Sequence, residues 1–435
     1  MTSTLNRPDR PVTTITIGEA VSRLMPAGVP FRFTAYDGST AGPQESPFHV
    51  HLENERGLSY LLTAPGDLGV MRAYVSGDLT LQGVHPGDPY ELMMRLQHEV
   101  GMSIPSPAEA FAIVRGLGWS HLKPPPPPPQ ETLPRWRRLL EGLRHSKDRD
   151  ADAIRHHYDV SNRFYELVLG PSMTYTCATY PTMSATLEEA QFAKYDLVCR
   201  KLGLRPGMRL RDVGSGWGGM VRHAASNYGV QVVGVTLSAE QAEWAQDAIK
   251  RDRLDHVAEV RFGDYRDIRD TDFDAVSSIG LTEHIGVRNY PAYFSFLRDK
   301  LVPGGRLLNH CITRPDNVNT DTGAFIDRYV FPDGELTGSG RIVSEMQNHG
   351  LEVRHTENLR EHYALTLQSW CSNLVDHWDE CVREVGEGTA KVWGVYMAGS
   401  RRAFERNELQ LHQVLAVRPD QGGDAHFPLR PDWLS

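Results

Sequence analysis

The chain has 435 residues, a formal net charge of −9 and five cysteines, a length that suggests two or three domains. The acidic balance argues against a nucleic-acid substrate, and an odd number of cysteines with no CxxC spacing argues against a disulfide framework or a zinc ribbon, so no metal site is expected. No apolar run reaches the roughly 18 residues of a membrane-crossing helix, and the start, Met1-Thr-Ser-Thr-Leu-Asn-Arg-Pro8, has no apolar signal core, which points to a cytoplasmic protein.

Residues 1–123 carry short strand-like runs, Phe31-Arg-Phe-Thr34 and Phe48-His-Val-His-Leu52, and helical runs near Gly66–Val75 and Tyr90–Glu99. They read as a small α+β domain with nothing resembling an active site. Six consecutive prolines follow, Pro124–Pro129. They lack N–H donors and have φ locked, so they favour an extended polyproline spacer and make the clearest boundary in the chain. In Leu133-Pro-Arg-Trp-Arg-Arg-Leu-Leu-Glu-Gly-Leu-Arg144, Trp136, Leu139, Leu140 and Leu143 fall at i, i+3, i+4 and i+7, beside Arg135, Arg137, Arg138 and Arg144. A basic amphipathic helix of this kind suits an anionic membrane interface. The same pattern is met by a helix that packs its leucine face on the next domain. Spacer and helix together occupy 124–150.

From 151 to 435, strands alternate with helices, the pattern of a doubly wound parallel sheet. Strands are predicted at Met208–Val213, Val230–Val235, Ala258–Phe262, Phe273–Ile279 and Gly305–Ile312, and helices at Gly218–Asn227, Ala239–Arg251 and Asn289–Lys300. The tail Leu409–Val417 fits a last strand of the same sheet. The first of these strands runs into Asp212-Val-Gly-Ser-Gly-Trp-Gly-Gly219, where Gly214, Gly216 and Gly218 permit positive φ and a close approach of ligand to backbone N–H groups. Such a loop serves NAD, FAD or S-adenosylmethionine. A dinucleotide calls for an acidic ribose anchor after the second strand, but Gln231-Val-Val-Gly-Val-Thr-Leu-Ser238 ends in hydroxyls, and Trp217 crowds the place of a pyrophosphate. S-adenosylmethionine is the better fit.

His157-Tyr-Asp-Val-Ser-Asn-Arg-Phe-Tyr165, Met173-Thr-Tyr-Thr-Cys-Ala178, Thr186-Leu-Glu-Glu-Ala-Gln191, the glycine loop, Gly234-Val-Thr-Leu-Ser-Ala-Glu-Gln241 and Glu283-His-Ile-Gly286 follow in order. Together, from about residue 150 to 417, they closely resemble the cyclopropane fatty-acid synthase family of S-adenosylmethionine-dependent lipid methyltransferases. The N-terminal region, the proline run and Ala73-Tyr-Val-Ser-Gly-Asp78 look like the actinobacterial branch that makes 10-methylene fatty acids on the tuberculostearic acid route. The resemblance implies a class I, Rossmann-like methyltransferase domain over 151–435.

It also implies a cofactor site. Asp212, Val213, Gly214 and Gly216 would meet the amino-acid end, and Thr236, Leu237, Ser238 and Gln241 the ribose side, with Gln241 in place of an acidic anchor. Asp264 and Tyr265 would frame the adenine, and Tyr175 and Thr176 would close over the methionine part. Thr236 and Ser238 equally suit the N-cap of the helix that starts at Ala239.

By the same resemblance the double bond of an unsaturated acyl chain attacks the methyl of the sulfonium, and bound bicarbonate removes the resulting proton. A protein carboxylate beside the carbocation would be open to alkylation. The family's bicarbonate holders map onto Cys177, Glu283, His310, Ile312 (by its backbone) and Tyr363. Taken alone, Cys177 reads as a small buried hydrophobe and His310 as a core residue of an apolar strand, and Tyr363 has no local signal. Glu283 follows a strand that ends at the carboxyl edge of the sheet, where ligands of such folds gather.

Two positions depart from the pattern: Thr282 stands where cyclopropane-forming members usually carry Phe, and Ser400 where some carry Cys. Thr282 favours a methylene product over a ring. The expected partners are membrane phospholipid at an anionic bilayer surface, met peripherally, a second copy of the chain, and a separate reductase. Two further readings are a methyltransferase for a soluble small molecule and an inactive lipid-binding module.

Overall fold

The computed structural model describes residues 15–99, 106–132, 161–318, 320–332 and 334–434. The basic segment 133–144 and the start of the His157 motif lie outside them. The chain forms two compact units that divide between Glu131 and Thr132.

In the first unit, α1 (Ile17–Leu24) precedes β1 (Arg32–Ala35), β2 (Thr40–Ala41) and β3 (His49–Leu52). Then come α2 (Glu55–Thr63), α3 (Asp67–Val75), β4 (Leu79–Gln82), α4 (Tyr90–Glu99) and α5 (Pro107–Leu117). The four strands form a sheet in the order β2-β1-β3-β4, with β1 and β3 parallel. Alternate residues of β1 and β3, Phe33, Ala35, Val50 and Leu52, are buried, as a sheet covered on one face requires. The helices bring Leu58, Tyr60, Met71, Ala73 and Tyr74 to the same core. Sheet and helices together make an α+β unit. The proline run is fastened to it: Tyr60 Oη donates to the carbonyl of Pro126 at 2.5 Å, and Arg72 grips the Glu131 carboxylate through Nε and Nη2, both at 2.7 Å.

In the second unit α6 (Asn162–Leu169) and α7 (Leu187–Leu202) lead into β5 (Arg209–Val213), α8 (Gly219–Tyr228), β6 (Gln231–Thr236), α9 (Ala239–Arg251), β7 (Ala258–Phe262) and β8 (Phe273–Ile279). The short α10 (Thr282–Ile285), α11 (Tyr290–Lys300) and β9 (Leu301–Thr313) follow. Next are β10 (Thr320–Asp321), α12 (Ala324–Tyr329), β11 (Glu335–Leu336), α13 (Ser339–Asn348) and β12 (Glu352–Asn358). Three helices, α14 (Arg360–Asp376), α15 (Trp378–Val385) and α16 (Glu387–Glu405), come before β13 (Gln410–Val417).

Seven strands form one sheet in the order β12-β13-β9-β8-β5-β6-β7, and only β13 runs against its neighbours. Strand order reverses at β5, so its carboxyl end is the switch point where ligands of open α/β sheets bind. The two faces of the sheet alternate residue by residue. Leu210, Val232, Ala275, Leu308 and Leu415 pack on the face covered by α7, α8 and α9. Val213, Val235, Val276, Leu307 and Val414 pack on the opposite face, under α11 and α13. The fifth predicted strand begins earlier than expected: β9 runs through Pro303-Gly-Gly305, with a register irregularity against β8 that absorbs the proline and glycines. No helix among the described residues is long and apolar enough to cross a membrane.

Candidate active site

At the carboxyl end of β5 the chain turns through Gly214, Gly216 and Gly218 with φ of 76°, 52° and 75°. The backbone N–H groups of Gly214 and Ser215 both donate to Val235 O, at 3.0 and 2.9 Å, which ties the turn to the end of β6. A Cβ on Gly216 would meet nothing within 4 Å. The loop therefore offers an open cradle, and α8 starts beside it with no side-chain cap on its first N–H groups. Val213 lies buried just before the turn. After β6, Ser238 caps α9 by accepting from Gln241 N at 3.2 Å, and Thr236 Oγ1 donates to Gln241 Oε1 at 2.8 Å. Capping holds Gln241 beside the turn, and Leu237 sits between the two hydroxyls. Asp264 is clasped by Arg266 through Nε at 2.7 Å and Nη2 at 2.5 Å. The Tyr265 ring meets Tyr293 and Phe296 edge-on at 5.4 and 5.5 Å.

A polar seam crosses the α7 face. Asp212, opposite Ser277 in the β5–β8 register, accepts from its hydroxyl at 2.5 Å. Burial pushes Asp212 up to about 6, against the opposing pull of Ser277 and Lys194. Lys194 of α7 is fully buried, donates to Thr176 Oγ1 at 3.1 Å and lies 3.6 Å from the Tyr195 ring centre. Desolvation pulls it down to about 7, while Cys177 and Asp212 favour its charge. Thr176 also packs directly on the backbone after β8, because a Cβ on Gly280 would lie 2.8 Å from its methyl. Cys177 Sγ points to the carbonyls of Ala178 at 3.1 Å and Leu359 at 3.8 Å, and burial raises its thiol well above the usual range. It is no nucleophile in this state.

Glu283 stands on α10, just past the end of β8. Its Oε1 accepts from Ile312 N at 2.6 Å, whereas Oε2 is buried with no partner. Burial pushes this carboxyl up to about 7. His310, one strand away on β9, is fully buried; its Nδ1 faces Gln413 Nε2 at 3.2 Å and its Nε2 has no partner. Burial, with Lys194 and Lys201 nearby, holds the ring well below the usual imidazole range and so neutral. The Ile312 N–H serves Glu283 and so ties the backbone of β9 to this carboxylate. Tyr363, in the first turn of α14, donates its N–H to Leu359 O, the carbonyl that Cys177 approaches, and its ring lies 4.5 Å from Phe404. Thr282 is buried with its hydroxyl donated to Asn309 Oδ1 at 2.6 Å.

An aromatic cluster walls this region. The Tyr175 ring stands 6.0 Å from Tyr165, 5.4 Å from Trp370, 5.5 Å from Trp393 and 6.4 Å from Phe331. Tyr165 in turn lies 4.7 Å from Trp217 of the glycine loop, and Phe331 5.4 Å from His284, the neighbour of Glu283. The cluster thus runs from the loop to the Glu283 helix. Packed rings exclude water and offer π faces to a cation.

The residues named from the sequence thus gather at the β5 turn with the β6 end, at Glu283 joined to Ile312 on the strand that carries His310, and at Leu359 O, where Cys177 and Tyr363 meet. Thr176 and Lys194 connect them. Tyr265 points into the α11 layer instead. The sequence reading passed over Lys194, Lys201 and Gln413. The signal present was spacing: Gln191, Lys194, Val198 and Lys201 share one buried face of α7, and lysines two turns apart on a buried face need a reason. Among the described residues no cluster suits a metal ion.

Comparison with known proteins matches residues 145–414 to the mycolic acid cyclopropane synthetase family. A probable fatty acid methyltransferase of Mycobacterium tuberculosis is 63% identical over 405 residues, 93% of this chain and 95% of that protein. The cyclopropane-fatty-acyl-phospholipid synthase of Escherichia coli is 36% identical over 279 residues, 64% of this chain and 71% of that one. The solved mycolic acid cyclopropane synthase CmaA1, complexed with SAH and CTAB, superposes with a TM-score of 0.57 at 31% identity, over 61% of this chain and 97% of that one. The chain is a class I S-adenosylmethionine-dependent methyltransferase and belongs to the mycolic acid cyclopropane synthetase family.

Proposed function

We propose that the protein adds a methyl-derived carbon to the cis double bond of an oleoyl-type acyl chain in membrane phospholipid, leaving a 10-methylene branch, with bicarbonate as the base. The observation that carries the reading is the pair of orphaned buried atoms, Glu283 Oε2 and His310 Nε2. Buried polar groups are nearly always satisfied, so each exception calls for a missing partner. A carboxylate oxygen accepts, and a neutral imidazole nitrogen can donate; a small anion with its own proton answers both. Bicarbonate fits that description.

S-adenosylmethionine, when bound, supplies the methyl group, and bicarbonate, when bound, takes up a proton. The chain's own residues do the rest. The β5 turn leaves backbone N–H groups and the open position at Gly216 for the cofactor, with Asp212 and Gln241 beside it and Asp264 toward the adenine. Tyr175 and Thr176 cover the methyl donor, and their aromatic neighbours keep the site dry, which a feeble alkene nucleophile requires. Glu283 and His310 orient the base, with the Cys177 and Tyr363 segments closing its far side.

The product follows from how the carbocation on the acyl chain collapses. Direct proton loss from the added methyl closes a cyclopropane; a prior hydride shift gives the exocyclic methylene. Thr282, its hydroxyl tied to Asn309, puts a small polar group in place of an aromatic wall beside the cation, which alters where the base stands relative to the migrating hydrogen, and we take this as favouring the hydride-shift route. The 63% identity to a probable fatty acid methyltransferase supports methyl transfer to a fatty acyl chain, and the 36% identity to the E. coli synthase supports the ring as the alternative product. The test is purified enzyme with S-adenosylmethionine and oleoyl phospholipid vesicles, read by mass spectrometry with and without bicarbonate. A methylene chain whose yield rises with bicarbonate is expected. Mainly cyclopropane would return the protein to the ring-forming members, and no lipid methylation would remove the acyl substrate. A methylene product passes to a separate reductase, since no nicotinamide or flavin motif is evident in this chain.

A further inference from the structure

His310 and Gln413 face each other across the β9–β13 register, both on the α7 side of the sheet. Lys201 of α7 donates from Nζ to Gln413 Oε1 at 2.7 Å and is paired with Glu357. An ammonium only donates, so the oxygen end of the Gln413 amide has to face Lys201. The other end, an NH2 with nothing but donors, then faces His310 Nδ1 at 3.2 Å. Nδ1 can only accept there. A neutral imidazole has one N–H, which is therefore on Nε2, the ring atom buried without a protein partner. The opposite tautomer would set N–H against N–H in a buried site.

We propose that Gln413, itself oriented by Lys201, is a positioning residue that locks His310 as the Nε2–H tautomer, so that the ring presents a donor to the anion. The proposal rests on the anion site described under Proposed function. It also explains why Lys201 is buried. The lysine charge fixes the amide, the amide fixes the proton, and neither side chain touches the reacting atoms. The arrangement needs no titration of His310, since one neutral tautomer is selected over the other.

The test is 15N NMR of the full-length, ligand-free protein labelled at histidine, with the His310 signal assigned by its loss in His310→Asn. A pyridine-type Nδ1 and a pyrrole-type Nε2 are expected. In Gln413→Glu the carboxylate still accepts from Lys201 but now also accepts from the ring, so the proton should move to Nδ1. The same variant should lose at least about 100-fold in kcat with S-adenosylmethionine affinity unchanged; a triad histidine held in the wrong tautomer loses roughly 10^4-fold. Lys201→Met frees the amide to turn, and a mixture of both tautomers should appear. A wild-type ring protonated at Nδ1, or a ring unaltered in both variants, overturns the proposal. A tautomer that switches with the rate untouched keeps the lock but removes His310 from the anion site, so the two ideas fail separately.

Discussion

Glu283, proposed above to orient the base, is buried at a cost to stability. Its carboxyl is raised to about 7 by burial. At pH below the ordinary carboxylate range, folded and unfolded chains both hold the proton and burial is not opposed by charge. Between that range and about 7 only the folded chain holds it, so stability falls as pH rises through this window. Glu283→Gln removes the charge, and it should be more stable than the parent by about 3 kcal/mol near pH 8 and by little near pH 4. Thermal unfolding across pH checks this; a constant difference would show that the carboxyl is ordinary. The variant should also lose turnover while S-adenosylmethionine affinity, measured by calorimetry, stays nearly intact. Affinity falling in step with the rate would move Glu283 from the base to the cofactor.

The turn between β5 and α8 makes its own prediction at the scale of an element. Gly216 and Gly229, the latter capping the far end of α8, both have left-handed backbones, with φ of 52° and 63°. Alanine at either should cost stability by about 1–2 kcal/mol, the ordinary penalty of that conformation. Only Gly216→Ala puts a methyl group into the open cradle, where a Cβ meets no protein atom within 4 Å. It should weaken S-adenosylmethionine binding by more than about tenfold, whereas Gly229→Ala should bind normally. Equal effects in calorimetry would show that the cofactor does not approach this turn. The helix α7 carries the other lesson at this scale. Its buried lysines are tolerable only because Thr176, Gln413 and Glu357 receive them, and removing such a partner leaves a desolvated charge that costs several kcal/mol.

For the molecule as a whole, the proposed phospholipid substrate sets a demand: an acidic chain that docks on an anionic bilayer needs a local attraction that outweighs its net charge of −9. The arginines of 133–144, beyond the described residues, supply the only cluster of that kind singled out in the sequence. Replacing Arg135, Arg137 and Arg138 with Gln should weaken co-sedimentation with anionic vesicles while the fold is unchanged. The wild-type binding should fall with added salt, since such contacts are screened over about 8 Å at physiological ionic strength. Undiminished binding of the variant at low salt would leave this segment the role of packing its leucine face on the methyltransferase domain.

Much of this protein was legible in one dimension. An alternating run located β7, a short apolar run located β8, both to the residue, and the Ser238 cap located α9, because hydrophobic patterning and capping are local. The two-residue strands, β12 with its half-exposed alternation, and the α14–α16 helices carried weaker local signals. Their positions depend on pairing and packing with distant segments. The same division holds in the site. Gly214, Gly216 and Glu283 could be read from their place after strands, whereas His310 looked like any core histidine. That it faces Gln413 from β13, more than a hundred residues away, and that Gln413 in turn meets Lys201 of α7, follows only from strand order and register. Sequence by itself determined the alternating elements, the glycine turn and the chemistry they could hold. Tertiary structure decided which polar side chains share one buried face, because hydrogen bonds and desolvation act between neighbours in space and leave no spacing along the chain.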